Sequence, residues 1–87
     1  MIWQILIANQ AKKNLARLPK DRADRLLLAL DEIVVDPYFG DIKKVKGELD
    51  TWRRRVGRYR ITYAVFVIEK IIKVTDMEIK SDNTYKF

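Results

Sequence analysis

The spacing of the hydrophobic residues changes once along this chain, and that change limits the possible fold more than any other feature. Between residues 8 and 35, apolar side chains recur every three or four positions, which predicts helices. The predicted apolar face of the second helix consists of Leu26, Leu27, Leu30, Ile33 and Val34. From Thr51 onward they alternate with polar side chains, which predicts β-strands. A chain that is helical first and extended afterwards is expected to be α+β, because a sheet face can cover the apolar sides of the helices.

The residues that interrupt this pattern predict the individual elements. Residues 2–7 are rich in β-branched and aromatic side chains and are predicted to form a first strand. Asn9 is expected to cap a short helix, and Pro19 separates it from a second helix that ends at Asp36. Short turns join three further predicted strands, which are residues 51–56, 59–68 and 71–79.

These elements predict one domain over residues 1–87. It consists of an N-terminal strand, a two-helix hairpin and an antiparallel three-stranded meander. The strands are expected to form one sheet, and the helices to pack on one of its faces. The other face of the sheet is then available to a ligand.

Composition excludes several kinds of chemistry. The chain contains no cysteine and no histidine, which excludes disulfides, thiolate nucleophiles and imidazole acid–base catalysis. A zinc site would lack its usual ligands, and we expect neither a metal nor another cofactor. No apolar run approaches the roughly 18 residues of a membrane span, and the N-terminus does not have the pattern of a signal peptide. We therefore expect a cytoplasmic protein with no membrane partner.

The positive charge is concentrated in one segment. Of a net charge of +6, residues 41–60 carry +5, from eight basic and three acidic side chains. A localised positive field attracts polyanions, of which nucleic acid is the commonest in a cytoplasm. A surface that is charged only for solubility would intersperse the two signs. The charge distribution therefore favours a segment that faces nucleic acid.

Strand alternation places three arginines of this segment on one surface. In the strand 51–56, Trp52 is expected to face the core, so Arg53 and Arg55 face the opposite side. The inward-facing aromatic and aliphatic residues of the next strand place Arg60 on that same side. No acidic residue occurs within residues 51–60, so we expect no local neutralisation. Guanidinium groups bind phosphate oxygens in pairs, and this cluster is predicted to hold phosphates.

Other residues near this surface are less easily assigned. Several basic side chains are expected to extend the positive field along a nucleic-acid backbone. They are Lys43, Lys44, Lys46 and Arg58. Arg54 has the alternation of a core residue, so it either reaches an edge or lies at a bulge. Tyr85 follows the last strand and either stacks on a base, donates a proton or is only an aromatic residue of the tail.

The same residues resemble a family signature. The segment WRRRVGRYRITY, residues 52–63, is similar to the aromatic-Arg-x-Arg-Val-Gly-x-Tyr-Arg-x-x-Tyr pattern of the RelE/ParE superfamily of bacterial and archaeal toxins. Shorter matches occur in the same order at residues 11–15, 18–20, 36–37 and 45–47, so the resemblance covers essentially the whole chain. It implies a RelE-like fold and a toxin of a type II toxin–antitoxin system. The implied partner is a cognate antitoxin, and the positive segment favours an acidic, partly disordered one.

Within the RelE branch, the resemblance implies an mRNA interferase, an endoribonuclease that cleaves mRNA on the ribosome and inhibits translation. The implied reaction is attack of the ribose 2′-hydroxyl on the adjacent phosphate without a metal. Arg53, Arg55 and Arg60 match the basic sheet positions of the family and are the implied catalytic cations. Tyr85 matches its C-terminal tyrosine, which is implied to stack on or orient the substrate.

Two positions depart from the family pattern. Many active members carry an arginine where this chain has Ser81, and the adjacent Lys80 is a possible substitute. Members with a defined proton acceptor often carry lysine at the position of Arg55, whereas arginine stays protonated and is a poor base. Glu48 or a lysine within residues 43–46 is then the candidate acceptor. Two alternatives therefore stay open: a ParE-like poison of DNA gyrase, and a catalytically impaired homologue that only binds its antitoxin.

Overall fold

A computed structural model of the chain describes residues 3–79, which form two helices and one sheet. The elements, in chain order, are β1 (Gln4–Ile7), α1 (Asn9–Ala16), α2 (Lys20–Val35), β2 (Ile42–Lys44), β3 (Thr51–Val56), β4 (Tyr59–Phe66) and β5 (Ile71–Ile79). The strand order is β1-β5-β4-β3-β2; β1 is parallel to β5, and all other neighbours are antiparallel. The predicted α+β class and the meander β3–β4–β5 are confirmed.

Three predicted boundaries differ from the structure. The first strand begins at Gln4, and residue 2 lies outside the described part of the chain. Asn9 is the first residue of α1, whereas the capping position is Ala8, which makes no side-chain hydrogen bond as a cap. The strand β4 ends at Phe66 rather than at residue 68, because residues 67–70 form the turn to β5. Lys70 adopts φ 61° there, a conformation that a continuous strand does not contain.

The strand β2 is missing from the sequence-based prediction. It contains three residues, two of them lysines, and it has no alternation of apolar and polar side chains. Only its pairing with β3 reveals it, with Lys43 opposite Arg53 and Lys44 opposite Trp52. Short, lysine-rich edge strands are common because charge discourages pairing with a further chain. In this position β2 brings Lys43 beside the arginines of β3.

The core lies between the helices and one face of the sheet. The buried residues of α2 are Leu26, Ala29, Leu30 and Ile33, and they form one cluster with the buried residues of β4 and β5. Leu27 was predicted in this apolar stripe and is 43% exposed instead. The buried stripe follows the spacing i, i+3, i+4, i+7, and a residue at i+1 is turned about 100° away from it. No helix within residues 3–79 is long and apolar enough to cross a bilayer.

A β-bulge in β5 changes which of its side chains face the core. Thr75 is the extra residue, because its neighbours Val74 and Asp76 pair with consecutive residues of β4. Strict alternation from the buried Val74 would point Glu78 toward the helices. The bulge instead brings Glu78 opposite Arg60, on the face that the helices leave open.

Candidate functional site

The open face of the sheet contains a cavity of about 280 Å³ where β2, β3 and β4 meet. We call it the basic cavity. It is lined by Asp41, Ile42, Lys43, Arg53, Arg55 and Arg60. Arg55 and Arg60 are partners across the β3–β4 pair, and Arg53 is paired with Lys43 of β2. The three arginines therefore converge on one surface, as strand alternation predicts, and Lys43 joins them.

Two of these arginines have carboxylate partners. Arg55 Nε donates to Asp41 Oδ2 at 2.9 Å, and Arg60 Nη2 donates to Glu78 Oε1 at 3.4 Å. The expectation that no acid neutralises the cluster is therefore wrong for these two. Both acids come from outside residues 51–60: Asp41 directly precedes β2, and Glu78 reaches the open face through the bulge in β5.

These two ion pairs are weak because their side chains are in contact with water. The side chains of Arg55 and Asp41 are 62% and 61% exposed, and those of Arg60 and Glu78 are 31% and 41% exposed. Ion pairs in contact with water contribute about 0–1 kcal/mol and weaken further in salt. An incoming anion can therefore displace the carboxylates at little cost in free energy.

Arg53 differs from the other two arginines. Among residues 3–79 it has no ion pair, and its Nε is buried without a hydrogen-bond partner, as is Nε of Arg60. An N–H group that has lost water and found no acceptor is unfavourable by roughly 1–3 kcal/mol. Together with Glu78, the lining residues hold four cations and two carboxylates, which leaves an excess of positive charge.

Arg54, between these arginines in sequence, lies on the other side of the sheet. Its guanidinium donates to a carboxylate oxygen of Glu32 in α2, and its side chain is only 11% exposed. The loop before β2 passes so close that a Cβ on Gly40 would lie 3.1 Å from this guanidinium, and Gly40 also has φ +102°. Arg54 thus points to the core side, as its position in β3 predicts. Its charge is paired with a helix carboxylate, and the pairing of β3 with β4 contains no bulge at this residue.

The aromatic residues Trp52 of β3 and Tyr38 of the loop before β2 are structural and do not line the basic cavity. Trp52 packs against the core, and its Nε1 donates to Asp50 Oδ1 at 2.8 Å. Tyr38 meets the Trp52 ring edge-on at 5.7 Å between centroids, and its hydroxyl donates to Asp50 Oδ2 at 2.9 Å. Desolvation and the Asp50 carboxylate raise the pKa of Tyr38 to about 12. Trp52 is therefore a core residue, as predicted, and Tyr38 is poorly matched to proton transfer near neutral pH.

Tyr63 is completely buried in β4, and its hydroxyl donates to the backbone carbonyl of Pro37. Burial raises the pKa of Tyr63 to about 12. Tyr59 is also buried and accepts a hydrogen bond from Arg22 at 3.2 Å. Both tyrosines are core residues, in agreement with the alternation of β4.

The remaining predicted site residues are dispersed. Lys44 donates to the carbonyl of Glu48 at 3.4 Å, while Lys46 and Arg58 lie in turns; none of these three basic residues lines the basic cavity. Glu48 lines a neighbouring cavity of about 410 Å³ on the same face, which shares Arg53 with the basic cavity. Lys80, Ser81 and Tyr85 lie outside the described residues, and their roles stay predictions.

Two cavity-side carboxylates, Asp41 and Glu78, are absent from the predicted site. Asp41 precedes a strand too short to recognise from its sequence, and Glu78 depends on a bulge that no residue pattern in β5 indicates. Within residues 3–79 no three acidic side chains group closely enough to hold a metal ion. The side chains at the basic cavity bring guanidinium, ammonium and carboxylate groups together.

Comparison with known families decides the class of protein. Residues 5–79 match the family described as "ParE toxin of type II toxin-antitoxin system, parDE". The chain belongs to this family of toxins. The match confirms the predicted RelE/ParE superfamily, and it covers all the helices and strands described above except Gln4, the first residue of β1. No curated protein sequence matches it.

Solved structures confirm the fold. The archaeal RelE–RelB complex from Pyrococcus horikoshii OT3 is similar with a TM-score of 0.79 and 29% identity, over 94% of this toxin and 99% of that chain. The RelB–RelE complex from Methanococcus jannaschii is similar with a TM-score of 0.72 and 27% identity, over 94% of this toxin and 98% of that chain. The intact E. coli RelBE complex is similar with a TM-score of 0.80, over 91% of this toxin and 98% of that chain. Because the identity is 18%, this similarity supports the fold alone.

Proposed function

We propose that this toxin is a RelE-like mRNA interferase, a cytoplasmic endoribonuclease that cleaves mRNA on the ribosome and thereby inhibits translation. The observation that carries the proposal is the basic cavity, in which Arg53, Arg55 and Arg60 converge beside Lys43 on the face that the helices leave open. The structural similarity to RelE proteins supports the same branch of the superfamily.

The proposed substrate contact begins at Arg53. Because Arg53 has no carboxylate partner within residues 3–79, it is available to bind a phosphate without first breaking an ion pair. Arg55 and Arg60 then exchange Asp41 and Glu78 for oxygens of the same phosphodiester chain. Charge-assisted, bidentate contacts to phosphate are stronger than the exposed pairs that they replace.

The proposed reaction is an intramolecular transesterification. The 2′-oxygen of a ribose attacks the adjacent phosphorus, the O2′–P bond forms, and the bond from phosphorus to the 5′-oxygen breaks, which leaves a 2′,3′-cyclic phosphate. The guanidinium groups stabilise the additional negative charge on the phosphorane; in an oxyanion hole, the removal of one such preorganised donor costs about 2.7–4 kcal/mol. The attacking hydroxyl loses one proton, and the leaving oxygen gains one.

Carboxylate geometry suggests the proton acceptor. Asp41 lines the basic cavity itself, whereas Glu48 lines the neighbouring one, so we infer that Asp41 takes the 2′ proton once phosphate has replaced it on Arg55. Lys43 is the cavity cation with a transferable proton and is the proposed donor to the 5′-oxygen. Asp41→Asn is expected to lower cleavage about 10²–10⁴-fold while RNA is still bound. If Glu48→Gln causes this loss and Asp41→Asn does not, Glu48 is the acceptor.

The central test adds the purified toxin to a translation extract and maps the new RNA ends. Arg53→Ala and Arg60→Ala are each expected to lower cleavage at least about 10²-fold. Lys73→Ala is the matched control, because register places Lys73 on the same open face but away from the cavity, and it removes the same charge. Intact message at stoichiometric toxin would contradict the proposal, as would an equal loss in Lys73→Ala.

We also propose that a cognate antitoxin neutralises this toxin, since the similar archaeal proteins are solved as complexes with RelB. The excess positive charge of the basic cavity favours an acidic, partly disordered segment that folds over it. Co-expression of an adjacent reading frame that encodes a small acidic protein should then relieve growth arrest. Growth of cells that express the toxin alone would count against this proposal and would indicate a catalytically impaired homologue.

A ParE-like activity is the second candidate, because the matching family is described as a ParE toxin. A poison of DNA gyrase would trap broken DNA on the enzyme and would leave mRNA intact. Measuring gyrase–DNA breaks and RNA ends in the same treated cells separates the two activities. Trapped breaks without new RNA ends would replace the mRNA interferase with the gyrase poison.

A further inference from the structure

Three large apolar side chains are exposed along one side of α2 and the loop that follows it. Leu28, Val35 and Phe39 are 64%, 63% and 65% exposed. Leu28 and Val35 lie two helical turns apart on one side of α2, and with Phe39 they line an open groove of about 480 Å³. We call this the α2 groove. Exposed apolar side chains that cluster in this way often mark a surface where a partner binds.

The other side chains that line the α2 groove are all acidic, namely Asp31, Glu32 and Asp36. They occupy the positions between the apolar residues, so apolar and negative groups alternate along the same stripe. Glu32 is neutralised by Arg54, whereas Asp31 and Asp36 form no ion pair within residues 3–79. The α2 groove is thus apolar and negative, the opposite in sign to the basic cavity.

We propose that the α2 groove binds an amphipathic helix of a partner protein whose apolar stripe is flanked by lysine or arginine. A helix matches the two-turn spacing of Leu28 and Val35, because its own apolar residues recur at i, i+3, i+4 and i+7. Basic flanks match Asp31 and Asp36, which an acidic segment would repel. A symmetric second copy of the toxin is disfavoured, because the groove would then place its own carboxylates opposite each other.

This inference rests on the proposed function in one respect, which is that the antitoxin is the expected carrier of the helix. The antitoxin would then contain two segments of opposite charge, an acidic one over the basic cavity and a basic amphipathic one in the α2 groove. A uniformly acidic antitoxin would complement the charge of the basic cavity only.

Two designed peptides test the proposal. Both have 18 residues and leucines at i, i+3, i+4 and i+7 repeats; one has lysine at the flanking positions and the other glutamate. We expect the lysine peptide to shift the NMR signals of Leu28, Val35 and Phe39, and to bind more weakly as salt is raised. The proposal fails if the glutamate peptide binds the α2 groove as tightly, or if the lysine peptide leaves these signals unchanged. It also fails if sedimentation shows the toxin alone dimerising through these residues.

Variants of exposed residues sharpen the test without disturbing the core. Leu28→Ser should raise the Kd of the lysine peptide at least about tenfold, because a leucine side chain is no longer buried on binding. Leu27→Ser is the matched control on the same helix, outside the groove, and should leave the Kd unchanged. Asp31→Asn should raise the Kd about two- to fivefold and reduce its salt dependence. Equal effects of Leu28→Ser and Leu27→Ser would overturn the proposed site.

RNA cleavage separates this inference from the proposed function. Leu28 and Asp31 lie outside the basic cavity, so both variants should cleave RNA like the unsubstituted toxin. A toxin that binds the lysine peptide in the α2 groove but leaves mRNA intact would refute the mRNA interferase and retain the groove. A toxin that cleaves mRNA but ignores the peptide would refute the groove alone.

Discussion

The two faces of the sheet are built from alternate residues of the same strands, yet they do different things. On the helix-facing side of β4, Ile61 and Tyr63 are completely buried in the core. On the open side, Arg60 lines a charged cavity. The adjacent arginines of β3 show the same division: the side chain of Arg54 is 11% exposed and paired to a helix, whereas that of Arg55 is 62% exposed. Identical side chains one residue apart thus contact a helix on one face and line the basic cavity on the other.

This contrast means that stability and activity are expected to respond to different substitutions. Burial of apolar surface on the helix-facing side provides the free energy of folding, and gaps there are costly because interiors are closely packed. The charged side chains on the open side are partly exposed and lie outside the core, so their removal is expected to cost less stability. Substitutions of neighbouring residues are the most direct way to test this division.

The largest effect is expected at Ile61. Ile61→Ala should lower the free energy of unfolding by about 2–5 kcal/mol, because it leaves a cavity in the core that the surroundings fill only partly. The next residue, Thr62, has its side chain on the open face, and Thr62→Ala should change stability by no more than about 0.5 kcal/mol. Urea unfolding of both variants measures the difference, and similar losses would contradict the division of the two faces.

The next largest loss of stability is expected at Arg54, and the adjacent Arg55 provides the comparison. Arg54→Ala should lower the free energy of unfolding by about 1–3 kcal/mol, because a mostly buried guanidinium and its bond to Glu32 are lost. Arg55→Ala removes an exposed ion pair and should cost about 0–1 kcal/mol. Thermal unfolding of the two variants under identical conditions provides the comparison. A larger loss in Arg55→Ala would show that the open face also supports the fold.

The alkaline stability of the toxin should depend on Tyr63. Burial raises the pKa of this phenol from 10 in the unfolded chain to about 12, so the folded state holds the proton more tightly. The stability that this group contributes is complete below pH 10 and is lost as the pH rises through 12. The loss from this group is at most about 1.4 kcal/mol per pH unit. Unfolding of the wild type and of Tyr63→Phe between pH 9 and 12 should show a shallower decline in the variant.

The smallest effect, measured on RNA binding and not on cleavage, concerns two neighbouring lysines of β2. Lys43 lines the basic cavity, whereas Lys44 is paired with the core residue Trp52 and donates to the carbonyl of Glu48. Lys43→Ala should weaken RNA binding a few-fold and lower the slope of log K against log salt by about 1. Lys44→Ala should leave the slope closer to that of the wild type. An equal change in both slopes would mean that RNA contacts both sides of β2.

Much of the fold could be predicted because its signals are local. The alternation in β3 and β4 and the helical spacing of α2 are contained in short segments, and the predicted meander and the core positions of Trp52, Tyr59 and Tyr63 are confirmed. The short edge strand β2 and the exposure of Leu27 could not be predicted in this way. Pairing with β3 defines β2, and the way α2 packs on the sheet decides which of two adjacent leucines is covered.

The sequence by itself determined which arginines share a face, because alternation along a strand is a property of the backbone. The tertiary structure alone decided which acids meet them. Asp41 is 14 residues from Arg55, Glu78 is 18 from Arg60, and Glu32 is 22 from Arg54. The Arg60 contact further requires the bulge at Thr75, which reverses the alternation of β5. Such contacts depend on the pairing of strands and on how a helix packs on them, and no local pattern of residues contains that information.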